Sequence, residues 1–317
     1  MLVELDDIRA AAERIRGVAV RTPLLPWDER TWLKPESLQP VGAFKMRGAY
    51  NKLASLTDAE RARGVVTYSS GNHAQAVARA ARLLGARAVI VMPDDAPRVK
   101  VEGVRRDGAE IIFTGPGSEE RHEIALGLVA ERGYTMVEPY DDPAIIAGQG
   151  TIGLEIVEDL PGVTSVLVPV SGGGLSAGVA TAVKLLRPAA RMIGVEPELA
   201  ADAKESLERG ELVSWPGEQT NRTMADGLRT QSLGPLPFEH LRRYLDAVVT
   251  VSEDEIADAM RALAHRARLV IEPSGAAAMA AHLAGRAEPE PGDDARVVIL
   301  SGGNLDPERF LEILSGA

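Results

Sequence analysis

The chain contains no cysteine among its 317 residues. Disulfide bonds, thiolate metal sites and cysteine nucleophiles are therefore excluded. Aromatic residues make up only 4% of the sequence, whereas alanine, valine, leucine and glycine are abundant. This composition suits an α/β protein in which parallel strands and helices pack closely.

The chain has fewer basic than acidic residues, 35 against 46, and its formal net charge is −11. Such a charge argues against nucleic acid or an anionic membrane as the main partner. Residues 1–16 lack the basic start and apolar core of a signal peptide. No apolar run approaches the ~20 residues that a membrane span needs. We therefore expect a cytoplasmic protein.

Short apolar runs alternate with helical stretches along most of the chain. The predicted strands are 64–70, 86–93, 110–114, 134–138, 165–170, 191–196, 247–251 and 296–300, and the predicted helices are 72–84, 97–107, 119–132, 175–186, 253–268 and 272–283. This alternation predicts an α/β fold with two open, mainly parallel twisted sheets and flanking helices. Two series of units indicate two domains, a small one at 53–141 and a large one formed by 1–52 and 142–317.

Lys45 stands between Phe44 and Met46 in an otherwise small and apolar stretch. Loss of solvent would disfavour the ammonium form and lower the pKa of this lysine. An amine of that kind can form a Schiff base with an aldehyde. The simpler explanation is a surface lysine in the first turn of a helix, and the eight surrounding residues alone favour that explanation.

A run of three glycines follows the strand at 165–170, in the loop Ser171-Gly172-Gly173-Gly174-Leu175. Glycines allow backbone N–H groups to converge, and the following helix adds its positive end. The pattern favours a phosphate-binding turn. No Lys-Ser/Thr pair follows, so the loop is not a P-loop.

Two further strand ends carry polar residues. The loop Ser69-Ser70-Gly71-Asn72-His73 offers several donors that could hold a carboxylate, although the same residues could simply cap a helix. Ser301 offers a hydroxyl after the last strand, where an ordinary turn is the simpler explanation.

An acidic loop follows the strand at 191–196. Glu196 and Asp202, with an intervening backbone carbonyl, could bind a hard cation such as Mg²⁺, Ca²⁺ or Mn²⁺. From spacing alone, a solvated acidic helix start explains these residues better.

A reactive amine, a phosphate-binding turn, donors for a carboxylate and a hydroxyl are together what pyridoxal phosphate needs to act on an amino acid. The sequence also resembles the fold type II pyridoxal-phosphate family of threonine/serine dehydratases and serine racemases, whose fold is that of the tryptophan synthase β subunit. The resemblance covers about residues 8–314. It rests on the motifs GAFKMRGA, SSGNHAQAVA, VMPDDAP, IAGQGTIGLEI, VPVSGGGLSAG, GVEPELAAD, ADGL, VSEDEI, EPSGA and LSGGN.

The resemblance implies a role for each matching residue around the cofactor. Lys45 would form the Schiff base, and Phe44 would contact the ring. Asn72 would bond to the ring hydroxyl, and Ser301 would face the pyridine nitrogen. Gly227 would line the ring. The loop from Ser171 to Leu175 would bind the phosphate.

The resemblance also implies roles around the substrate and the cation. The loop 69–73 would bind the substrate carboxylate, and Ser70 would be a second acid–base residue on the opposite face of the ring. Glu196, Ala200 and Asp202 would form a divalent-cation site. The large domain would bind the cofactor, and the small domain would be mobile and carry the substrate loop. A homodimer or homotetramer is expected.

The activity that the resemblance implies is β-elimination from a small hydroxy amino acid, L-threonine or L-serine, to a 2-oxo acid and ammonia. Serine racemase and hydroxyaspartate dehydratase are alternatives. Tyr140 resembles the aromatic residue common in dehydratases, where animal racemases tend to have asparagine. An alternative of another class is a non-catalytic module that binds a phosphate ligand, with Lys45 acting only through its charge.

Overall fold

The structure is a computed structural model that describes residues 2–69, 71–115, 118–287 and 294–316. The strands within these ranges are β1 (Leu25–Pro26), β2 (Thr31–Pro35), β3 (Val65–Tyr68), β4 (Ala88–Pro93), β5 (Glu110–Thr114), β6 (Thr135–Met136), β7 (Ser165–Pro169), β8 (Arg191–Pro197), β9 (Ala247–Val251) and β10 (Arg296–Leu300). They form two sheets, one of six strands and one of four.

The α-helices of the same ranges lie between and around the strands. They are α1 (Leu5–Ile15), α2 (Lys45–Ser55), α3 (Asp58–Arg63), α4 (Asn72–Leu84), α5 (Arg98–Arg106), α6 (Ser118–Arg132), α7 (Pro143–Asp159), α8 (Gly174–Leu186), α9 (Asp202–Arg209), α10 (Gly217–Thr220), α11 (Pro235–Tyr244), α12 (Glu253–Ala262), α13 (Pro273–Leu283) and α14 (Pro307–Ser315). Short 3-10 turns cover Glu36–Leu38 and Asp226–Leu228, and a π-helical turn, Leu263–Ala267, extends α12.

The six-stranded sheet has the order β1-β2-β10-β7-β8-β9. Its pairs are parallel except for β1 with β2. Pro35 of β2 pairs with Leu300 of β10, so Glu36 and Ser301 leave the sheet side by side. Strands β7 and β10 are buried along their whole length, because helices cover both faces of the sheet.

The four-stranded sheet has the order β5-β4-β3-β6, and all its pairs are parallel. Both sheets therefore direct the carboxyl ends of their parallel strands to one edge each, where ligands bind in open α/β sheets. The fold class predicted from the sequence is confirmed. The strands of the small sheet all fall between residues 65 and 136, while the division into two domains stays a prediction.

The predicted strands and helices appear within a few residues of their expected bounds. The sequence does not predict the strands β1 and β2 or the helices α1, α2, α3, α7, α9, α10, α11 and α14. The strand β2 contains Lys34 and Pro35, which obscure its apolar pattern. Helix α7 is buried from Ile145 to Ile156, so it shows no polar face from which its period could be recognised.

Helix α7 packs on α2 and α8 through glycines. A Cβ atom on Gly148 would lie 2.6 Å from the Cα of Gly48, and one on Gly178 would lie 2.3 Å from the carbonyl oxygen of Ile146. These approaches bring the helix axes close, so the position of α2 depends on α7.

As for membrane association, none of the helices within the described ranges combines the length and the apolar character needed to cross a bilayer.

Replacing Gly148 by alanine tests this contact. We expect Gly148→Ala to lower the free energy of unfolding by about 1–3 kcal/mol, because the new methyl group collides with backbone atoms of α2. The matched control is Gly127→Ala in α6, where a Cβ meets nothing within 4 Å. That change should stabilise by up to about 1 kcal/mol through helix propensity. Urea denaturation measures both, and equal effects would contradict the close packing.

Candidate active site

Lys45 is the first residue of α2, and the preceding residues are tied to the end of β10. The Phe44 backbone N–H donates to the Ser301 carbonyl at 3.0 Å, and Ala43 forms a β-bridge with Gly302. Lys45 Nζ donates to the Pro139 carbonyl at 2.6 Å and lies 5.2 Å from the centre of the Phe44 ring. The amine therefore points inward at the sheet edge.

Burial lowers the pKa of Lys45 to about 8. Within the described part of the chain, Lys45 Nζ contacts a carbonyl and forms no ion pair with a carboxylate, so nothing restores the pKa. The simpler explanation, a surface lysine, is wrong in its environment, although the lysine does lie in the first turn of a helix.

The glycine turn joins β7 to α8, as the sequence indicates. Gly173 has a φ of +92°, which favours glycine. A Cβ on Gly172 would lie 2.4 Å from the Tyr140 ring. The turn is therefore too crowded for side chains, and the N-terminal amides of α8 follow it directly.

Side chains around this turn connect it to Lys45. Tyr140 lies against the glycines and immediately follows Pro139, whose carbonyl accepts from Lys45. Leu175 belongs to the apolar cluster that Phe44 packs against. The hydroxyls of Ser171 and Thr230 are 2.7 Å apart, and the Gly234 N–H donates to the Gly172 carbonyl.

Asn72 begins α4 and is held by two partners. Its Nδ2 donates to Glu272 Oε1 at 2.5 Å, and Asn304 Nδ2 donates to its Oδ1 at 2.9 Å. Because Glu272 and Asn304 lie on either side of β10 in sequence, the side chain of Asn72 is held beside the end of the large sheet. Ser70 lies outside the described residues.

The rest of the loop 69–73 is tightly packed. The Gly71 N–H donates to Ser69 Oγ at 3.2 Å, and a Cβ on Gly71 would lie 2.4 Å from Lys100 Cδ. His73 Nε2 donates to the Val137 carbonyl at 3.1 Å. Burial, with a smaller effect of the Lys45 charge, lowers the pKa of His73 to about 3, so the ring is neutral.

Ser301 and Gly227 meet at Ser274, the second residue of α13. Ser301 Oγ lies 3.5 Å from the Ser274 carbonyl, and the Gly227 N–H donates to Ser274 Oγ at 2.8 Å. Gly302 is confined, because a Cβ there would lie 2.2 Å from Glu272 Oε1 and 3.3 Å from Asn72 Nδ2. The residues that the sequence singled out around the predicted ring thus lie at one sheet edge.

The sequence does not predict one buried cluster of charged residues. Lys100 of α5 is fully buried and lies 2.5 Å from Asp226 Oδ2 and 3.2 Å from Glu272 Oε2. Burial alone would lower the pKa of Lys100, but the two carboxylates raise it above its usual value. Glu272 lies in the EPSGA motif, one of the motifs on which the family resemblance rests. Nothing in the sequence around Lys100 distinguishes it from a surface lysine.

The acidic loop after β8 is buried rather than solvated. The Glu196 carboxylate accepts from the Ala203 and Lys204 N–H groups at 3.0 and 2.8 Å, so it caps α9. Asp202 Oδ2 is buried and forms no hydrogen bond. Burial raises the pKa of Asp202 to about 7. Burial, together with the nearby charge of Asp202, also raises the pKa of Glu196. The described residues contain no cluster of three or more acidic or histidine side chains fit for a metal.

The pKa of Lys45 is directly testable on the protein without any ligand. An amine reagent modifies only the neutral amine, so labelling of Lys45 should reach half its maximum near pH 8. Lys100 is the internal reference and should stay unlabelled there, because its ion pairs favour the ammonium form. Peptide mass spectrometry across a pH series measures both. A Lys45 midpoint above about pH 10, the usual lysine range, would contradict the lowered pKa.

Comparisons with known proteins agree with this geometry. The family model described as "Pyridoxal-phosphate dependent enzyme" matches residues 15–303. L-threonine ammonia-lyase of Thermotoga maritima is 43% identical over 99% of this chain and 79% of its own length. L-threo-3-hydroxyaspartate ammonia-lyase of Saccharomyces cerevisiae is 40% identical over 98% and 96%. The structure of maize serine racemase superposes with a TM-score of 0.93 at 36% identity, over 100% of this chain and 98% of the other. The chain belongs to the family of pyridoxal-phosphate-dependent enzymes.

Proposed function

We propose that this protein is an ammonia-lyase that eliminates the β-hydroxyl of L-threonine, L-serine or both, yielding a 2-oxo acid and ammonia. The observation that carries the proposal is the inward-pointing amine of Lys45, whose pKa burial lowers to about 8, beside a turn that only glycines fit. Membership of an enzyme family argues against the alternative of a non-catalytic binding module.

The residues of the site fit pyridoxal phosphate. Lys45 would hold the aldehyde carbon, and the amides from Gly172 to Leu175 would hold the phosphate. Asn72 would donate to the ring hydroxyl, and Ser301 would face the ring nitrogen. Phe44 and Gly227 would lie along the ring. The crowding of Tyr140 against the glycine turn supports this fit, because it leaves the backbone N–H groups as the polar groups of the turn.

When bound, the cofactor supplies an aldehyde for the substrate amine and an electron-withdrawing ring that acidifies the substrate Cα. Lys45 Nζ would then accept the Cα proton, and a pKa of about 8 suits a base at neutral pH. Donors of the loop 69–73 would orient the substrate carboxylate. Ser301, a neutral hydroxyl, would keep the ring nitrogen from the firm protonation that a carboxylate imposes. The ring would then withdraw electrons less strongly, which would favour elimination of the β-hydroxyl.

The choice of substrate rests on relatives and on one residue. The relatives named above act on threonine and on L-threo-3-hydroxyaspartate, and the maize structure is a serine racemase. Tyr140 supports a dehydratase because it resembles the aromatic residue common in dehydratases. It lies against the glycine turn and directly follows Pro139, whose carbonyl accepts from Lys45. Racemisation through Ser70 rests on the sequence alone.

We also propose that Glu196, Asp202 and the Ala200 carbonyl bind a divalent cation. Two buried carboxylates with raised pKa values, one of them with an oxygen that has no hydrogen-bond partner, suit a hard cation. The predicted cytoplasmic location and homodimer or homotetramer complete the proposal, and light scattering would measure the oligomer.

Incubation with L-threonine, L-serine, D-serine and L-threo-3-hydroxyaspartate tests the activity. We expect 2-oxo acid from threonine or serine at the highest kcat/KM. Lys45→Ala should lower kcat by at least about 10³-fold, since base and Schiff-base amine are lost together. The control is Lys184→Ala, which removes a lysine of α8 that pairs with Asp246, and it should retain activity. The activity proposal fails if no 2-oxo acid forms, or if recovered serine is racemised faster than it is consumed. Turnover retained by Lys45→Ala would instead refute the role of the lysine.

The cation proposal has a separate test. After treatment with a chelator, addition of Mg²⁺, Ca²⁺ or Mn²⁺ should raise Tm by several degrees, because a ligand that binds only the folded state stabilises it. Asp202→Asn should abolish this rise. The matched control is Asp58→Asn, which changes the first residue of another short helix at the surface and should leave the rise intact. The same rise in Asp202→Asn as in the wild type would refute the site.

A further inference from the structure

We propose that Arg47 is a positioning residue that sets the rotation of the first turn of α2 and thereby aims Lys45. The inference rests on the proposed function, because it concerns the amine that serves that function. It adds a residue whose side chain hydrogen-bonds to Glu36, Thr151, Glu155 and Val20, and to neither Lys45 nor Phe44.

Lys45 and Arg47 are the first and third residues of α2 and lie on opposite sides of the helix, since two residues subtend about 200°. Lys45 reaches the Pro139 carbonyl on one side of the helix. Arg47 reaches the core on the other side, and its side chain is fully buried. A rotation of this turn would therefore move both side chains together.

Two carboxylates hold the Arg47 guanidinium from two sides. Glu36 accepts from Nε at 2.7 Å and from Nη2 at 2.8 Å. Glu155 of α7 accepts from Nη1 at 2.6 Å and from Nη2 at 2.9 Å. Thr151 Oγ1 and the Val20 carbonyl complete the set at 3.1 Å each. All the N–H groups of the planar guanidinium have acceptors. These bonds therefore fix the orientation of the Arg47 side chain as well as its distance from the two carboxylates.

This arrangement suits positioning better than stability. Buried ion pairs often contribute less to stability than apolar side chains of similar volume. What the pairs with Arg47 do supply is orientation, because Glu36 directly follows β2 and Ser301 directly follows the paired strand β10. The Phe44 N–H bond to the Ser301 carbonyl is a second tie to the same edge. Lys45 lies in sequence between Phe44, which is tied to Ser301, and Arg47, which is tied to Glu36.

Lys34 provides a matched control in the same network. It is fully buried, and its Nζ donates to Glu155 Oε2 and to the Thr22 carbonyl, both at 2.6 Å. Lys34 belongs to β2 and bonds to no residue of α2. Its removal breaks the same buried network, while the paired hydrogen bonds from Arg47 to Glu36 and to Glu155 remain.

The experiment compares Arg47→Lys with Lys34→Met. Both variants should have a lower Tm than the wild type. Arg47→Lys keeps the charge but loses the fork, so kcat should fall about 10- to 100-fold with KM changed less than about threefold, the cost expected for a misplaced catalytic group. Its Lys45 labelling midpoint in the protein without cofactor should rise above pH 8, as the amine becomes better solvated. Lys34→Met should keep both kcat and the midpoint near the wild-type values.

Equal changes of kcat and midpoint in the two variants, at equal loss of Tm, would overturn the proposal in favour of a purely structural role. If Arg47→Lys does not fold, Thr151→Val removes a single contact of the guanidinium and should shift the midpoint in the same direction by less. An unshifted midpoint there would then overturn the proposal. The labelling does not depend on turnover, so it still tests Arg47 if the proposed substrates are wrong.

Discussion

The parallel pairing of β2 with β10 is the constraint on which the site depends. It brings Glu36 and Ser301 to the same sheet edge, and each is tied to the start of α2, one through the Arg47 side chain and the other through the Phe44 backbone. The first turn of α2 thus takes its position from the sheet. Close glycine contacts with α7 hold the same turn from the other side. Lys45 has a defined direction because its helix has little freedom to rotate.

The buried cations Arg47 and Lys100 have carboxylate partners, whereas the buried amine of Lys45 has none among the described residues. Lys100 and Arg47 each meet two carboxylates, which raise their pKa values against the effect of burial. Lys45 meets a carbonyl, and burial lowers its pKa to about 8. Burial disfavours the charged form in all three side chains. Where carboxylates compensate, the side chain stays a cation, and where they do not, the amine becomes neutral at moderate pH. The proposed chemistry needs the second outcome at Lys45 and the first at Arg47.

The two sheets meet around the predicted cofactor site. Asn72 at the start of α4 bonds to Glu272, and Lys100 of α5 pairs with Glu272 and Asp226, so elements next to the small sheet bond to residues next to the large one. Tyr140 extends from the segment after β6 to the glycine turn after β7. Pro139, directly before Tyr140, accepts from Lys45 Nζ, and burial lowers the pKa of this lysine.

The sequence by itself determined the alternation of strands and helices, the glycine turn at residues 172–174 and the polar strand ends at Asn72 and Ser301. These signals are local, because each depends on the conformational limits of a few neighbouring residues or on a short apolar period. Helix α7 and strand β2 were not recognisable, since burial on all sides removes the polar face and a buried Lys34 interrupts the apolar pattern.

Only the tertiary structure decided which charges are paired. Arg47 pairs with Glu36 and Glu155, and Lys100 pairs with Asp226 and Glu272. The partners are separated by up to 172 residues in sequence, so no local pattern predicts these pairs. It also decided that Lys45 is an inward-pointing amine rather than the surface lysine that its neighbours favoured. The physical reason is that a pKa depends on solvent exposure and on nearby charge, and both are set by chain segments distant in sequence.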